Sequence, residues 1–307
     1  MLIKNNFIAS QSETCPVCQR EARTAEYRYQ QGETEAFLYR CEGCQLVFLR
    51  PLLLPELDER QMDGIGSAEM EHFSLLKKVY AEFFLKREVA RIRKVLGSGE
   101  LRLLDIGCGT GWMTHLYAEQ GFQVVGLEPS SARAEMAARS YGLKVVNDYL
   151  ENASFDEKFD VIVMRHIVEH FADLNQVFIQ IRELLSQGGL LLATVPNVDS
   201  LGRLLFEADW SWGLPHHCNF FNPQSLTELL TLQGFKALRL SHSPSPFYMV
   251  NSFVRKYSDL FVGKMVANHR PLAMLFASPL PVFASLVGRG DNLNLVACRD
   301  SNPEFSV

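Results

Sequence analysis

From Leu101 onward the chain alternates short apolar runs with amphipathic stretches of helical period, and this alternation restricts its fold more than any other feature. Apolar runs at residues 101–106, 123–127, 144–146, 159–164, 190–195, 236–241 and 292–298 predict strands. The stretches 112–120, 131–140, 174–185 and 224–233 repeat their apolar residues at three- and four-residue steps and predict helices. A strand apolar on both faces must be covered on both faces, and the intervening helices provide the cover. The expected fold is therefore α/β: a Rossmann-like, doubly wound, mostly parallel seven-stranded sheet. At 47% apolar and 21% charged residues, with 20 Gly and 13 Pro, the chain can build that core; disordered and collagen-like architectures are excluded.

Three further zones surround the alternation. Residues 1–50 hold Cys15-Pro-Val-Cys18 and Cys41-Glu-Gly-Cys44, two CxxC pairs 22 residues apart. Four thiolates in that spacing satisfy tetrahedral zinc, and a region this small gains from a metal staple. A pair of redox motifs is the weaker alternative. The expectation is a zinc ribbon with Zn2+ on Cys15, Cys18, Cys41 and Cys44, closed to substrate and so structural or docking in role. Residues 51–99 read as a linker (51–67) followed by a helical segment from about 69 to 96, where Phe73, Leu76, Val89, Ile92 and Leu96 recur at helical steps. Gly97-Ser98-Gly99 ends it, and its Lys and Arg residues read as a solvated face. The third zone, residues 244–289, interrupts the alternation with an apolar insert marked by prolines.

Seven Cys, four of them paired for metal, suit a reducing compartment, and residues 1–14 hold no signal-peptide core. No run reaches the ~18 apolar residues of a membrane span. A cytoplasmic location is expected. The net charge of −5 argues against a nucleic-acid partner.

The segment Leu101-Arg-Leu-Leu-Asp-Ile-Gly-Cys-Gly-Thr-Gly111 puts Gly107, Gly109 and Gly111 between a buried strand and a helix. Glycines there let the backbone approach a ligand at the carboxyl edge of the sheet. The next strand ends in Glu128, 23 residues after Asp105, where an acid can accept both hydroxyls of a ribose. A dinucleotide fingerprint would need its last Gly at Trp112. An acid two residues before the first Gly repels a pyrophosphate but suits the cationic amino and sulfonium groups of S-adenosylmethionine. A nicotinamide oxidoreductase is disfavoured accordingly.

These motifs, with FDVIVMRHIVEHFADL, LLSQGGLLLATVPN and HHCNFFNPQSLTELLTLQGF, resemble the class I S-adenosylmethionine-dependent methyltransferases, in particular a subgroup with an H-x-x-E-H stretch and an N-terminal zinc ribbon. The resemblance covers about residues 100–243 and the last strand, and implies a methyltransferase domain over residues 100–307. It implies that Asp105 orients the methionine amino group and that Gly107, Gly109 and Gly111 bring the backbone to the cofactor. Glu128 would hold the ribose, with Cys108, Trp112 and Pro129 alongside. Residues 147–150, including Asp148 and Leu150, would flank the adenine, and Met164 and Arg165 would lie near the methionine. Trp112 can equally be core packing.

His166, Glu169 and His170 follow a strand end, and His216 and His217 come from a later loop. Imidazole suits both proton acceptance near neutral pH and metal ligation. The expectation is that His166, Glu169, His170 and His217 converge at the transfer site, with a histidine as general base. Small-RNA 2′-O-methyltransferases and ubiquinone-pathway O-methyltransferases are similar there, with an E-x-x-E-H stretch that binds a divalent metal. Here His166 replaces the first acid, which turns the reading toward the base while leaving a metal open. The acceptor is expected to be a small-molecule or glycan hydroxyl. Rivals are a zinc-ribbon RNA methyltransferase and a non-catalytic binding module; the intact Asp105, glycine loop and Glu128 argue against the latter. The 244–289 insert, crowded with Phe247, Tyr248, Phe253, Tyr257, Phe261, Phe276 and Phe283, reads as a lid or docking surface, with sheet-edge packing or a dimer contact equally compatible. A membrane-surface role is the less favoured alternative.

Overall fold

The computed structural model describes residues 2–31, 34–52, 75–213 and 217–300. The linker reading from residue 53 on, the helical pattern at 69–74 with Phe73, and His216 lie outside them. Four antiparallel strands come first: β1 (Leu2–Thr14), β2 (Glu21–Gln31), β3 (Thr34–Arg40) and β4 (Val47–Arg50). Helix α1 (Leu75–Leu96) follows, then β5 (Leu101–Ile106), α2 (Trp112–Glu119), β6 (Phe122–Leu127), α3 (Ser131–Tyr141), β7 (Val145–Val146) and β8 (Phe159–Arg165). A 3₁₀ turn at Val168–His170 leads to α4 (Leu174–Leu184) and β9 (Leu185–Pro196). After α5 (Leu201–Phe206) come β10 (Asn219–Phe220), α6 (Pro223–Leu232) and β11 (Phe235–Ser243). The insert folds as four short helices, α7 (Pro246–Lys256), α8 (Phe261–Asn268), α9 (Arg270–Ala277) and α10 (Pro279–Leu286), before β12 (Asn292–Arg299). Pro246, Pro271 and Pro279 sit in first turns, where a missing N–H breaks no helical bond.

The seven-stranded sheet has the order β11-β12-β9-β8-β5-β6-β7. β5 pairs in parallel with β6 and β8, and β6 with β7, while the sheet as a whole is mixed. The predicted α/β class and seven strands hold. Strand β9 begins five residues earlier than the apolar run, because Ser186, Gln187, Gly188 and Gly189 carry no strand pattern.

The chain divides into two compact units. One comprises residues 54–165, 176–192 and 297–307. Its core is the middle of the sheet, where Leu103, Leu104, Val161 and Ile162 are fully buried, with Leu85, Val89 and Ile92 of α1 buried at helical spacing. The other comprises residues 1–53, 166–175 and 193–296. In it the cysteine-bearing strands form a five-stranded sheet β1-β2-β3-β4-β10, with Asn219 opposite Phe48 and Phe220 opposite Val47. Tyr27, Leu38, Val47 and Leu49 pack in one cluster with Trp210, Trp212, Phe220 and Met249. Helix α6 starts from a capping box: Asn222 accepts the Ser225 N–H at 2.8 Å, and Ser225 Oγ accepts the Asn222 N–H at 3.0 Å. Among the described residues no helix is long and apolar enough to cross a membrane.

Candidate functional site

The first unit presents the glycine loop. The N–H groups of Gly107 and Cys108 both donate to the Leu127 carbonyl, at 2.8 and 3.1 Å, so the loop is tied to the end of β6. Glu128, 3% exposed, closes the same loop: its carboxylate accepts the Gly109 N–H at 2.9 Å and the Ser130 N–H at 3.1 Å. The glycines divide their work. A Cβ on Gly109 would enter open space, whereas one on Gly111 would strike Ala137 Cβ at 2.6 Å and Leu143 at 2.8 Å. Gly109 (φ 56°) thus borders the open side of the loop, and Gly111 (φ 83°) lets α3 pack against the start of α2.

Asp105, the next-to-last residue of β5, is buried and accepts the Thr114 hydroxyl at 2.6 Å. Burial raises its pKa, and the Arg165 charge and the Thr114 bond temper the rise. Arg165 Nη2 donates to Glu88 Oε1 at 2.7 Å and also to the Tyr117 hydroxyl, which itself donates to Glu88. Burial opposes the Arg165 charge, but Tyr117, Glu88 and Asp105 outweigh it and raise its pKa, so the side chain is a fixed cation. Its Nη1 is buried with no hydrogen-bond partner. Sequence reading did not find Glu88, Thr114 or Tyr117; they stand 77, 9 and 48 residues from their partners, with no local pattern to flag them.

The remaining cofactor-side residues are less closely engaged. Met164 is fully buried in β8, and Trp112 and Pro129 are half-buried. Cys108 is buried, and burial together with Asp105 and Glu128 pushes its thiol far above the usual range. Asp148 accepts the Tyr149 N–H at 2.8 Å, and Leu150 is buried with its carbonyl bonded to Gln180. Asn147 donates to the carbonyls of Glu128 and Pro129, at 2.8 and 3.0 Å, and pins β7 to the Glu128 turn.

The second unit holds two clusters. In the first, Cys15 and Cys41 open two knuckles of the same geometry. Cys15 N–H donates to Arg20 O and Cys41 N–H to Leu46 O, both at 2.9 Å, and Gln19 and Gln45 take φ of 60° and 65°. All four sulfurs lie within 4.8 Å of one another, with Cys15–Cys44 at 3.5 Å and Cys18–Cys41 at 3.4 Å. A tetrahedron of ~2.3 Å Zn–S bonds separates its sulfurs by about 3.8 Å. A disulfide would need about 2.05 Å. The neighbouring Cys44 sulfur, ahead of the opposing effect of burial, lowers the Cys15 pKa, which favours a thiolate in this cluster.

The second cluster gathers the predicted histidines. Ligand atoms of Glu169, His170 and His217 lie within 4.8 Å of one another, and the rings of His170 and His217 meet edge to face at 4.6 Å. Glu169 has no exposed surface, and neither carboxylate oxygen has a hydrogen-bond partner. His217 is 2% exposed, and its Nδ1 lies 2.8 Å from the Trp212 carbonyl. A carbonyl only accepts, so Nδ1 carries the proton and Nε2 is left as the acceptor.

His166 stands apart from that trio. Its φ of 56°, uncommon for a non-glycine, turns the ring to stack on Trp212 at 4.5 Å, while its Nδ1 lies 3.6 Å from Glu169 Oε1. Trp212 in turn stacks with His217 at 6.0 Å. All four predicted residues are therefore in one neighbourhood, bridged by Trp212. Two backbone bonds tie the cluster to the cysteine strands: Leu49 N–H to Cys218 O at 2.9 Å, and Cys218 N–H to Glu169 O at 2.8 Å.

Comparison with known proteins places the chain in a family. Residues 73–240 match a family model described as "Methyltransferase domain". Two proteins named ubiquinone biosynthesis O-methyltransferase, from two strains of Cereibacter sphaeroides, are similar to the chain. One is 33% identical over 187 residues, covering 56% of this chain and 74% of the relative. The other is 32% identical over 149 residues, covering 44% of this chain, which spans 60% of that relative's length. The crystal structure of the plantazolicin methyltransferase BpumL with S-adenosylhomocysteine bound shares the fold, with a TM-score of 0.50 at 16% identity over 80% of this chain and 91% of that one.

Proposed function

The chain belongs to the class I S-adenosylmethionine-dependent methyltransferases, and we propose that it carries the sulfonium methyl to a hydroxyl oxygen of a small-molecule or glycan acceptor. The relatives named O-methyltransferases support oxygen as the acceptor atom. The observation that carries the reading is Glu169, a buried carboxylate without a donor, placed among three imidazoles.

On the cofactor side the donor set fits a zwitterionic methionine tail. Asp105 offers a carboxylate to the amino group, and Arg165 an unpaired Nη1 to the carboxylate. Glu128 keeps lone pairs for the ribose hydroxyls beyond the two backbone bonds it accepts. S-adenosylmethionine supplies an electrophilic methyl whose carbon–sulfur bond breaks as the carbon–oxygen bond forms. The acceptor proton goes to His166, whose side chain is 31% exposed while Glu169 is buried behind it. At 3.6 Å the pair is beyond hydrogen-bond range, so Glu169 acts on the ring as a charge, stabilising the imidazolium that forms. Trp212 fixes the plane of that ring.

A second reading is favoured by the same trio. One carboxylate and two imidazoles suit a divalent cation, and with the Nδ1 of His217 on the Trp212 carbonyl its Nε2 is the nitrogen that would ligate. A cation held by Glu169, His170 and the Nε2 of His217 would supply Lewis acidity to the acceptor oxygen. The four cysteines we assign to structural zinc on their sulfur separations.

His166→Ala separates the two. With the base reading, turnover falls ~10²–10⁴-fold while S-adenosylhomocysteine affinity is unchanged, and a chelator that leaves the cysteine zinc in place has no effect. Activity abolished by that chelator and restored by added divalent ion assigns the chemistry to the trio. Methyl-labelled cofactor supplied to fractionated extract of the source cell, followed by mass spectrometry, identifies the acceptor; label on nitrogen or carbon overturns O-methylation.

A further inference from the structure

The helices α8, α9 and α10 leave their apolar side chains in solvent. Of the 21 large hydrophobic residues exposed in the described chain, 12 fall between Leu260 and Val287, under a tenth of the sequence. Phe261 is 84% exposed, Phe276 76% and Leu286 81%. Ordinary surfaces scatter such residues singly, and a concentration of this kind marks an interaction surface. Beside them opens an apolar cleft of about 570 Å³, lined by Phe206, Met249, Phe253, Met265, Leu272 and Phe276 among others.

Charge decides what covers this surface. Residues 246–289 carry Arg255, Lys256, Lys264, Arg270 and Arg289, all exposed, against Asp259 alone. That is a local excess of four positive charges in a chain of net charge −5. A two-fold dimer through this face would bring ten cations together. An anionic surface would neutralise them. The helices are eight residues each, too short to span a bilayer, and joined at proline starts, so they can lie flat with their apolar sides down.

We propose that α8–α10 form a docking surface for an anionic lipid bilayer, with the exposed Phe and Leu side chains entering the acyl region and the cleft taking an acyl chain from it. The surface is independent of the methyl-transfer chemistry and is tested without it.

The test is flotation of the purified, zinc-replete full chain with phosphatidylcholine vesicles, pure or containing about 30% phosphatidylglycerol, at low and high salt. The expected result is flotation with the anionic vesicles at low salt and at least tenfold weaker binding to the neutral ones. Phe276→Ser with Leu286→Ser, and separately Arg255→Glu with Lys264→Glu and Arg270→Glu, should each weaken binding by about tenfold or more. These side chains are exposed, so both variants should keep wild-type circular dichroism and S-adenosylhomocysteine affinity. Phe276→Trp should be quenched by acyl-brominated lipid. No flotation at low salt, equal binding to neutral vesicles, or an unquenched Trp would overturn the proposal. A concentration-dependent dimer that Phe276→Ser with Leu286→Ser dissolves, without vesicle binding, would give the surface to a second copy.

Discussion

Glu128→Gln tests whether one carboxylate builds the cofactor loop as well as facing the ribose. The wild-type side chain is buried and accepts two backbone N–H groups, from Gly109 at 2.9 Å and Ser130 at 3.1 Å, one on each oxygen. Glutamine has the same shape but one carbonyl oxygen, so its NH₂ must face one of those two donors at about the same distance. One charge-assisted bond, worth roughly 1.5–3 kcal/mol, is lost and a buried N–H is left unpaired. The loop should therefore lose roughly 2–4 kcal/mol of local stability. Cofactor binding suffers twice, because the loop loosens and the ribose loses a charged acceptor; S-adenosylhomocysteine affinity should fall about 10–100-fold. Glu128→Ala removes both acceptors and should fall further. Calorimetry gives the affinity, and hydrogen exchange across residues 105–131 shows whether the Gly109 and Ser130 amides lose protection. A Glu128→Gln protein that binds within twofold of wild type with unchanged exchange would refute both roles at once.

Two more outcomes follow from buried groups in the second unit. Burial raises the Asp291 pKa from 3.8 to about 6, with the Ser200 hydroxyl and Trp210 indole tempering the rise. Its folded pKa lies above the unfolded one, so the group stabilises the fold below about pH 4 and that contribution, about 3 kcal/mol, is lost as pH rises through 6. Asp291→Asn should flatten that slope in urea unfolding and gain most on wild type near pH 7.5; a parallel slope for the two proteins would contradict it. Cys41→Ser should release the metal, seen by elemental analysis, and lower turnover while S-adenosylhomocysteine affinity in the first unit stays within twofold; full turnover without zinc would contradict it.

Much of the first unit was legible because its strands are buried on both faces and announce themselves as continuous apolar runs. Asp105 and Glu128 could be picked out since each stands at the carboxyl end of such a strand, where topology places ligands. The partners of Arg165 could not, because Glu88 and Tyr117 reach it only through the fold. The glycine loop was read as one device, yet Gly111 answers to Ala137 and Leu143 and Gly109 to the open side. Spacing brought His166 and Glu169 to one turn, but only the left-handed backbone at His166 swings its ring onto Trp212 and away from the trio of Glu169, His170 and His217. The prolines that mark the insert prove to sit at helix starts, while its exposure has no sequence pattern, since apolar residues read alike whether they face a core or solvent.

The cysteine knuckles illustrate why local motif reading misjudges what a small metal site supports. Taken alone, 50 residues with four cysteines are a staple for a region too small to hold a core. In the fold, β4 pairs with β10 and lends Val47 and Leu49, beside Leu38 of β3, to a cluster that includes Trp210 and Trp212. Trp212 carries the His166 ring and, through its carbonyl, sets the His217 tautomer. The Leu49–Cys218–Glu169 ladder joins the same strand to the buried carboxylate. Two of those links are backbone bonds that no side-chain change can replace, and the second knuckle is bonded directly to α6 through Gln224 to Gly43 O at 3.1 Å. Without a metal the knuckle at Cys41 would be held only by its backbone bonds, and the strand that follows it is the one bonded to the histidine cluster. A zinc held by the four cysteines would therefore bear on the proposed transfer site at a distance, by positioning Glu169 and His217, although it would have no open coordination position of its own.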